Sequence, residues 1–546
     1  MKYIFFVLIA LFAVLACQSS ENASSEATAI KVDSIAIEQH LATLASDEFE
    51  GRKPFSSGET KTVNYLVDAF KEMGLQAGNG DSYIQEVPLV EVTGTPDERI
   101  QVKRNGSNIL SLQQSENIVT YTEKVEDVTR LEDSELVFCG YGIVAPEYGW
   151  NDYEGIDMKG KTAVVMVNDP GFESGDDALF KGNTMTYYGR WTYKYEEAAR
   201  QGAAGCLIIH ETNAAGYPWF VVKSSWSGGK LNLESEAPKC DVQGWITLTT
   251  ASDIFKASNK GKGFLAQAQS KDFKPIPLGL SISTEVKNTF KRDVSQNVVA
   301  MLPAVEESDE YIIYSSHWDH LGIGEVVDGD SIYNGALDNA SGTASLLGIA
   351  KAFSEMPEPP KRNVIFLMVT AEEQGLLGSA YYAENPIYEP EQTIANLNID
   401  GVNFYGATND LSIVGYGQSD MDDITEEEAK KQGRYVTPDA QPEKGFFFRS
   451  DQFSFAKIGI PVLYTDSGME HKIKGKEYAK EQIDKYTAER YHRPADHYIP
   501  GDWDLSGMME DAQLFFNIGK RLANSEEYPA WKDGSEFKSK RKQLKD

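Results

Sequence analysis

Apolar and polar residues alternate in blocks along the second half of the chain. Between residues 285 and 525, short apolar runs typical of buried strands alternate with longer segments of helical spacing. This order predicts an α/β domain with a mixed, mostly parallel sheet that is covered by helices on both faces. The predicted strands are 297–302, 311–315, 363–369, 394–399, 410–414 and 461–465.

The first half of the chain contains two segments with different patterns of apolar residues. Residues 33–115 begin with apolar residues at helical spacing, and we expect them to form the N-terminal part of the same domain. Residues 116–284 contain shorter apolar runs with many glycine and aromatic residues, which predicts a smaller, β-rich α/β domain inserted into the main one. Its predicted elements are strands at 135–141, 162–167 and 204–210 and a helix at 193–201.

The two ends of the chain are expected to lie outside these domains. Lys2 and the apolar run 3–16 are typical of a signal peptide, because 14 apolar residues are fewer than the roughly 20 that span a membrane. The Ala16-Cys17 pair resembles a bacterial lipoprotein cleavage box. At the other end, a C-terminal tail over 526–546 is rich in lysine from residue 532, and we expect that part to fray.

The lipoprotein resemblance implies where the protein acts. Residues 1–17 would be the signal peptide, Cys17 the lipidated first residue of the mature chain, and 18–32 a solvated tether. The protein would then be exported and anchored to a bacterial membrane through this lipid alone, facing the periplasm or the exterior. An ordinary secretory signal and an uncleaved N-terminal anchor remain alternatives.

Composition and charge narrow the function classes. The 546 residues are 41% apolar, which is ordinary for a globular protein, and the formal net charge of −31 disfavours nucleic acid as a partner. Without Cys17 the chain has three cysteines, so no disulfide framework is expected. They are Cys139, Cys206 and Cys240.

Acidic and imidazole residues follow the predicted strands of the main domain, at the edge where α/β sheets place their sites. Taken singly, each has an ordinary structural explanation, such as a turn, a helix cap or a hydrogen-bonded core histidine. Taken together, they favour a pair of divalent metal ions. Five of them are candidate ligands: His317, Asp338, Glu373, Asp400 and His492.

The number of candidate ligands suits two catalytic metal ions. If one carboxylate bridges, each ion receives that bridge, one more carboxylate, one histidine and a water, which matches the open coordination of catalytic zinc. Glu372 is adjacent to a ligand and is not needed by the metals. We therefore expect Glu372 to act as the general base.

Five motifs resemble the dinuclear zinc aminopeptidase family, which includes glutamate carboxypeptidase II, glutaminyl cyclases and the transferrin receptor. They occur in the order that the family has, so the resemblance is specific. The motifs are His317-x-Asp319, Gly335-Ala336-Leu337-Asp338-Asn339-x-Ser341-Gly342, Glu372-Glu373-x-Gly375, Asn398-x-Asp400 and Tyr491-His492-x-Pro494-x-Asp496. The inserted segment 116–284 resembles, more weakly, a protease-associated domain.

The resemblance implies a role for each residue. Asp338 would bridge two Zn²⁺ ions; His317 and Asp400 would complete one ion, and Glu373 and His492 the other. Further carboxylates would orient the two histidines. They are Asp319, for His317, and Asp496, for His492. The family also implies a zinc exopeptidase fold and a cis peptide bond between Asp338 and Asn339.

The predicted function is an exported zinc exopeptidase, an aminopeptidase acting on peptide substrates. A glutaminyl cyclase-like enzyme and a non-catalytic receptor on the same fold are the alternatives. One departure concerns the substrate pocket: Gln452 stands where relatives commonly have His or Tyr. Candidate pocket residues are Phe446, Phe447, Phe448 and Tyr464, although buried core positions suit most of them better. The sequence sets neither the oligomeric state nor the preferred peptide terminus, for which Arg449, Arg490 and Arg493 are relevant.

Overall fold

The computed structural model describes residues 30–226, 228–260 and 263–545. The predicted signal peptide, Cys17 and nearly all of the predicted tether lie outside these residues. Within the described ranges, every helix is too short or too polar to traverse a bilayer.

The strands of the described residues, in chain order, are β1 (Gln76–Ala77), β2 (Ile84–Pro96), β3 (Arg99–Arg104), β4 (Ser107–Gln113), β5 (Ile118–Tyr121), β6 (Val128–Phe138), β7 (Val144–Ala145), β8 (Trp150–Asn151), β9 (Thr162–Met166), β10 (Gly205–His210), β11 (Gly229–Leu233), β12 (Val242–Thr247), β13 (Ile276–Leu302), β14 (Tyr311–His317), β15 (Gly322–Val327), β16 (Asp330–Tyr333), β17 (Asn363–Val369), β18 (Thr393–Asn398), β19 (Asp410–Ile413), β20 (Tyr435–Pro438) and β21 (Val462–Asp466).

The helices of the described residues are α1 (Ser34–Leu44), α2 (Ser57–Glu72), α3 (Pro170–Ser174), α4 (Trp191–Arg200), α5 (Thr212–Ala215), α6 (Trp219–Ser225), α7 (Leu248–Ser258), α8 (Phe264–Ala268), α9 (Ser341–Ser354), α10 (Leu377–Glu384), α11 (Met421–Lys431), α12 (Gln452–Lys457), α13 (Gly475–Glu489), α14 (Ser506–Asn524) and α15 (Lys538–Lys545). Shorter 3-10 turns occur at Asp47–Arg52, Pro146–Tyr148, Tyr187–Gly189, Pro442–Lys444 and Phe446–Phe448, and a π turn at Ala336–Ala340.

The main sheet has the predicted mixed, mostly parallel character. β14 pairs in parallel with β17 on one side and β18 on the other, and β18 continues in parallel to β21. β13 and β19 close the two sides of this block with antiparallel pairing, and β20 lies parallel to β19. The fold class predicted from the sequence is therefore confirmed.

Helices cover both faces of this sheet because successive side chains of each strand point to opposite faces. On β14, the buried Ile312 and Tyr314 pack in the cluster formed with α1, α2, α9 and α14. Ile313, between them, packs in a second cluster, which holds Tyr382 of α10 and Phe455 of α12. Full burial on both faces explains why this strand is a continuous apolar run.

A second sheet lies within residues 116–284. β6, β9, β10 and β12 are successive parallel neighbours, and β5 pairs antiparallel to β12. This sheet has its own buried clusters, one of which contains Phe138 and Phe255. The helix predicted at 193–201 is α4, between β9 and β10.

The two sheets are joined by one long strand. β13 has 27 residues, and it pairs with β6 near its start and with β17 at its end. Its middle pairs antiparallel with β2 from Val286 to Val298. The predicted boundary after residue 284 thus falls inside a strand, because the half-exposed pattern of this region hides the pairing.

The C-terminal tail does not fray as predicted, at least up to residue 545. Trp531 and Phe537 are buried in the cluster on the α12 side of the main sheet. Trp531 Nε1 donates a hydrogen bond to Gly459 O at 2.9 Å, and Arg541 donates to Pro390 O at 2.6 Å. The lysine content suggested a solvated tail, but two aromatic side chains anchor it.

The three cysteines of the described residues are free and buried. Burial raises the pKa of the Cys139 and Cys206 thiols, as expected for small apolar core residues.

Candidate metal centre

The sheet brings the five predicted metal ligands to one edge. His317 is the last residue of β14, and Asp400 follows β18 by two residues. Glu373 lies in the loop after β17, and Asp338 lies in the π turn that precedes α9. His492 comes from the loop after α13. Parallel strands end at the same edge, so residues distant in sequence converge there.

The ligand atoms form two groups that share Asp338. His317 Nε2 lies 3.4 Å from Asp338 Oδ1 and 3.1 Å from Asp400 Oδ1. His492 Nε2 lies 3.2 Å from Asp338 Oδ2 and also 3.2 Å from Glu373 Oε2. One oxygen of Asp338 therefore faces each imidazole.

These distances fit two zinc ions. Ligand atoms about 2.0–2.1 Å from a tetrahedral zinc are about 3.3–3.4 Å apart, because they occupy the corners of one tetrahedron. The four separations of 3.1–3.4 Å between imidazole and carboxylate atoms match this spacing. Asp338 would be the shared carboxylate of the two ions.

The carboxylates dominate the electrostatics of the metal-free site. Burial lowers the pKa of His317, but the charges of Asp400 and Glu372 outweigh it and raise this pKa well above its ordinary value. Burial also opposes protonation of His492, yet Asp338 and Glu373 raise its pKa to about 10. A cation is thus strongly favoured between these carboxylates, whether it is a proton or a metal ion.

Glu372 lies beside the ligand groups. Its Oε2 is 4.0 Å from His317 Nε2, and its backbone N–H donates a hydrogen bond of 3.0 Å to Asp319 Oδ1. Burial raises the pKa of Glu372 well above its ordinary value, with His317 opposing the shift. The Glu372 carboxylate thus lies next to the candidate metal ligands. In the absence of metal, its raised pKa favours the protonated form.

Asp319 and Asp496, which were both predicted to orient a histidine, make different contacts. Asp319 lies beside His317, whereas Asp496 binds the loop of Asp338. Asp319 Oδ1 lies 3.7 Å from His317 Nδ1, whose nearer partner is the Asp319 carbonyl oxygen at 3.1 Å. Asp496, however, does not orient His492 as predicted. Its carboxylate accepts hydrogen bonds from the backbone N–H groups of Leu337 and Asp338, at 3.1–3.2 Å, so it fixes the loop that carries the shared ligand.

The peptide bond between Asp338 and Asn339 is cis, as predicted. The Asn339 side chain donates hydrogen bonds to Ser316 Oγ and to Ile399 O, both at 3.1 Å. Asn339 thereby joins the loop of Asp338 to the ends of the strands that carry His317 and Asp400.

His320 belongs to the site, although the sequence analysis did not single it out. Its Nδ1 lies 2.5 Å from Glu373 Oε1, and the side chains of both residues are buried. Within the described residues, His320, Asp338 and Glu373 form a group of converging ligand atoms, as do His317, Asp338 and Asp400. The available signal was the second imidazole in the His317-x-Asp319-His320 motif.

Arg52 is a second residue that sequence analysis missed. Its fully buried guanidinium donates hydrogen bonds of 2.6–2.8 Å to four carbonyl oxygens, those of Leu44, Trp318, Asn334 and Gly335. Burial lowers its pKa to about 10, while nearby carboxylates, Asp319 first, oppose the shift. Arg52 therefore ties the loop after His317 to the loop before Asp338.

Gln452 is a core residue and not part of a pocket wall. It is fully buried, donates through Nε2 to Phe447 O at 2.8 Å and accepts from Asn398 Nδ2 at 3.0 Å. Gln452 therefore supports β18 and the turn at Phe446–Phe448. Phe448 and Arg449 of that region do reach a cavity.

This cavity adjoins the candidate metal centre and has a volume of about 720 Å³. Glu372, Glu373 and Tyr491 lie on its wall, together with residues of the inserted segment such as Trp191 and Trp226. Its volume is in the range of small-molecule and short-peptide sites. The cavity is therefore bounded by both parts of the chain.

Known proteins are similar to parts of this chain. Residues 297–516 match the sequence model described as Peptidase family M28. Aminopeptidase NAALADL1 of Mus musculus is 33% identical over 138 residues, which are 24% of this chain and 17% of that protein. The match confirms the family resemblance predicted from the five motifs.

Two further similarities extend over more of the chain. Probable glutamate carboxypeptidase AMP1 of Arabidopsis thaliana is 24% identical over 389 residues, or 64% of this chain and 50% of that protein. The solved structure of the aminopeptidase from Aneurinibacillus sp. strain AM-1 is 19% identical, covers 91% of this chain and 96% of its own, and has a TM-score of 0.49. The chain spans half or less of the two curated relatives.

Proposed function

We propose that the protein, whose residues 297–516 match the model of Peptidase family M28, is a zinc-dependent exopeptidase that removes residues from peptide N-termini. The observation that carries the proposal is the placement of Asp338, whose two carboxylate oxygens face two imidazoles at 3.4 and 3.2 Å. A shared carboxylate between two histidine-containing groups suits a pair of catalytic ions.

Five residues would hold the metal: His317 and Asp400 on one ion, His492 and Glu373 on the other, and Asp338 on both. When bound, the zinc ions would supply Lewis acidity to the scissile carbonyl and to the attacking water. The backbone of His317 is held by Thr343, whose hydroxyl donates a hydrogen bond to His317 O at 2.9 Å.

Glu372 would move the proton of the reaction. It takes a proton from the attacking water, whose oxygen forms a bond to the carbonyl carbon, and passes that proton to the leaving nitrogen as the C–N bond breaks. Two features support this role: its carboxylate lies on the cavity wall, and its backbone is fixed by the hydrogen bond to Asp319.

The names of the relatives point to both ends of a peptide. One relative bears the name aminopeptidase and another the name probable glutamate carboxypeptidase. A peptide with an acetylated N-terminus separates the two, because an aminopeptidase needs the free amine and a carboxypeptidase does not.

The function is tested on the purified full chain. Zinc is quantified, and hydrolysis of amino-acid p-nitroanilides is measured with and without a chelator. We expect zinc-dependent hydrolysis that N-acetylation abolishes. The variant Glu372→Gln should still bind zinc, and its kcat should be about 10²- to 10⁴-fold lower than that of the wild type, or lower still. Cyclisation of N-terminal glutamine without hydrolysis would favour a glutaminyl cyclase. A protein that binds no zinc and has no activity would favour a receptor.

Export and lipid anchoring are part of the proposal and rest on the sequence around Cys17. In cells that express the full chain, Cys17→Ser should move the protein from the membrane fraction to the soluble fraction. Retention in the membrane would contradict lipidation at Cys17 and favour an uncleaved N-terminal anchor.

A further inference from the structure

A second cavity, of about 80 Å³, lies within the inserted segment, and we call it the strand-end cavity. It lies where four successive parallel strands of the second sheet end, namely β6, β9, β10 and β12. Each strand gives the wall a residue that follows shortly after its end; in strand order these are Tyr141, Asn168, Glu211 and Leu248. Open α/β sheets place ligand sites at this edge. The strand-end cavity is therefore a candidate binding site, and its wall shares no residue with the cavity beside Glu372.

The wall of the strand-end cavity is acidic. Asp169, Glu173 and Glu211 lie on it, and within the described residues it includes no lysine, arginine or histidine. Burial raises the pKa of Asp169, while hydrogen bonds from Thr186 and the charge of Lys194 oppose the shift. The two glutamates, however, form no ion pair with any described residue. Their charges are thus available to a cation that enters the cavity.

The hydroxyl of Tyr141 is a buried polar group on this wall. Tyr141 is 1% exposed, and its hydroxyl has no hydrogen-bond partner among the described residues. Burial first, and then the charges of Glu173 and Asp169, raise the pKa of Tyr141, which shows that both carboxylates lie near the hydroxyl. Gln269, also on the wall, opposes part of this shift. Because buried polar groups are nearly always paired, the hydroxyl oxygen is expected to accept a hydrogen bond from a donor in the cavity.

The donor set suits an organic cation better than a metal ion. Among the described residues, ligand atoms close enough together to hold one metal ion occur in the two groups of the candidate metal centre and not on this wall. The remaining wall is apolar and includes Phe172, Leu248 and Leu265. An ammonium or guanidinium group carries several N–H donors, and its aliphatic stem packs against apolar side chains. The cavity has room for such a group, because its volume is several times the roughly 10–15 Å³ that one water molecule needs.

The strand-end cavity reaches the surface, because Leu248 is 36% exposed and Glu173 is exposed as well. We propose that it binds an aliphatic cation, an alkylammonium or alkylguanidinium group, with its nitrogen close to Tyr141 and the two glutamates and its stem along Leu248. Two sources offer this chemistry: the lysine or arginine side chain of a polypeptide, and a free alkylamine. The proposal does not depend on the peptidase function, since the two sites have no residue in common.

Binding is measured by calorimetry on the purified full chain. The side-chain probes are the Nα-acetyl methylamides of lysine and arginine, and the free-amine probe is pentylamine. The neutral counterparts are the lysine probe acetylated on its ε-amine, and pentanol. We expect each charged probe to bind about 10- to 100-fold more tightly than its neutral counterpart, because its hydrogen bonds are charge-assisted. Tighter binding of a side-chain probe than of pentylamine assigns the source to a polypeptide, and the reverse order assigns it to a free amine.

Variants connect this binding to the strand-end cavity. Tyr141→Phe, which removes only the hydroxyl, and Glu173→Gln, which removes one charge, should each weaken binding of the charged probes about tenfold. Tyr153→Phe is the matched control for the first, because it removes another buried and unpartnered hydroxyl of the inserted segment that lies outside the wall. Glu236→Gln, at an exposed position outside the wall, is the control for the second. Both controls should bind as the wild type does.

A further variant separates this site from the candidate metal centre. Amines also bind zinc, so Asp338→Asn is tested with the same probes and should bind them as tightly as the wild type does. Equal affinity for charged and neutral probes, or no binding of any probe at millimolar concentration, would overturn the proposal. So would binding that Asp338→Asn abolishes and Tyr141→Phe leaves unchanged. Unfolding temperatures are measured for all variants, and Glu173→Gln, at an exposed position, keeps the test decisive if Tyr141→Phe does not fold.

Discussion

Nδ1 of His320 lies 2.5 Å from Oε1 of Glu373, within the candidate metal centre. The other oxygen of Glu373 faces His492 at 3.2 Å, so the carboxylate is held from one side and presented to the candidate zinc ligand on the other. One buried histidine, His320, and one half-exposed histidine, His492, thus contact the same glutamate. His320 would fix the direction in which Glu373 offers its free oxygen.

Replacing His320 should therefore weaken one zinc position. We expect His320→Ala to lower zinc affinity at the Glu373–His492 position by about 10- to 100-fold, because partners of this kind orient metal ligands. Zinc stoichiometry during titration with a competing chelator measures the loss. His40→Gln, which alters a histidine that contacts Tyr65 far from this loop, is the control. Unchanged affinity at both positions would contradict the role.

Asp338 offers a sharper test of the two-ion arrangement. Asp338→Asn keeps the size of the side chain but removes the charge that two imidazoles face, so both zinc positions should weaken together. Asp400→Asn should weaken only the position that His317 shares, because Asp400 contacts no other imidazole among the described residues. Elemental analysis of the purified variants counts the ions, and an Asp338→Asn protein that retains two zincs would disprove the bridge.

Arg52 should matter for stability more than for chemistry. Arg52→Gln leaves up to four buried carbonyl oxygens without their charged donor, and we expect a loss of about 3–5 kcal/mol in the free energy of unfolding. Urea denaturation of the metal-free protein measures it. Arg99→Gln, at an exposed position, is the matched control and should change stability by less than about 0.5 kcal/mol. A loss as small as the control's would show that water replaces the guanidinium.

How much of this site is predictable from sequence depends on how each residue reaches it. His317 and Asp400 were found because they end apolar runs, and strand ends converge at one edge of a parallel sheet. Arg52 could not be found, since its partners Trp318 and Gly335 lie more than 260 positions away. The Asp496 contact was misassigned because a motif gives neighbours in sequence and not the direction of a side chain.

The inserted segment shows the same limit at the level of the fold. Its buried strands β9 and β10 were predicted nearly to the residue, because they are continuous apolar runs. The start of β13 was not, because a half-exposed strand that crosses from one sheet to the other lacks a clear boundary signal. The inserted segment contributes to the cavity wall because β13 pairs with strands of both sheets. Its contribution could therefore not be predicted from the sequence.

Zinc binding should depend strongly on pH, because the metal competes with protons for the same imidazoles. His492 has a pKa raised to about 10 in the metal-free site, and the pKa of His317 is also raised, so both rings carry protons at neutral pH. Zinc needs neutral imidazole, and binding must therefore release these protons. The apparent affinity should rise by about tenfold per pH unit for each proton released, between about pH 6 and about pH 8.

Calorimetric titration of the metal-free protein in two buffers of different ionisation enthalpy counts the protons. His492→Gln, which removes one of the two imidazoles, should release about one proton fewer at the same pH. The direction of the effect is fixed by the raised pKa values: a site whose histidines were neutral at pH 7 would bind zinc with little proton release. Affinity independent of pH in this range would therefore mean that the carboxylates around Asp338 do not hold protons on these imidazoles.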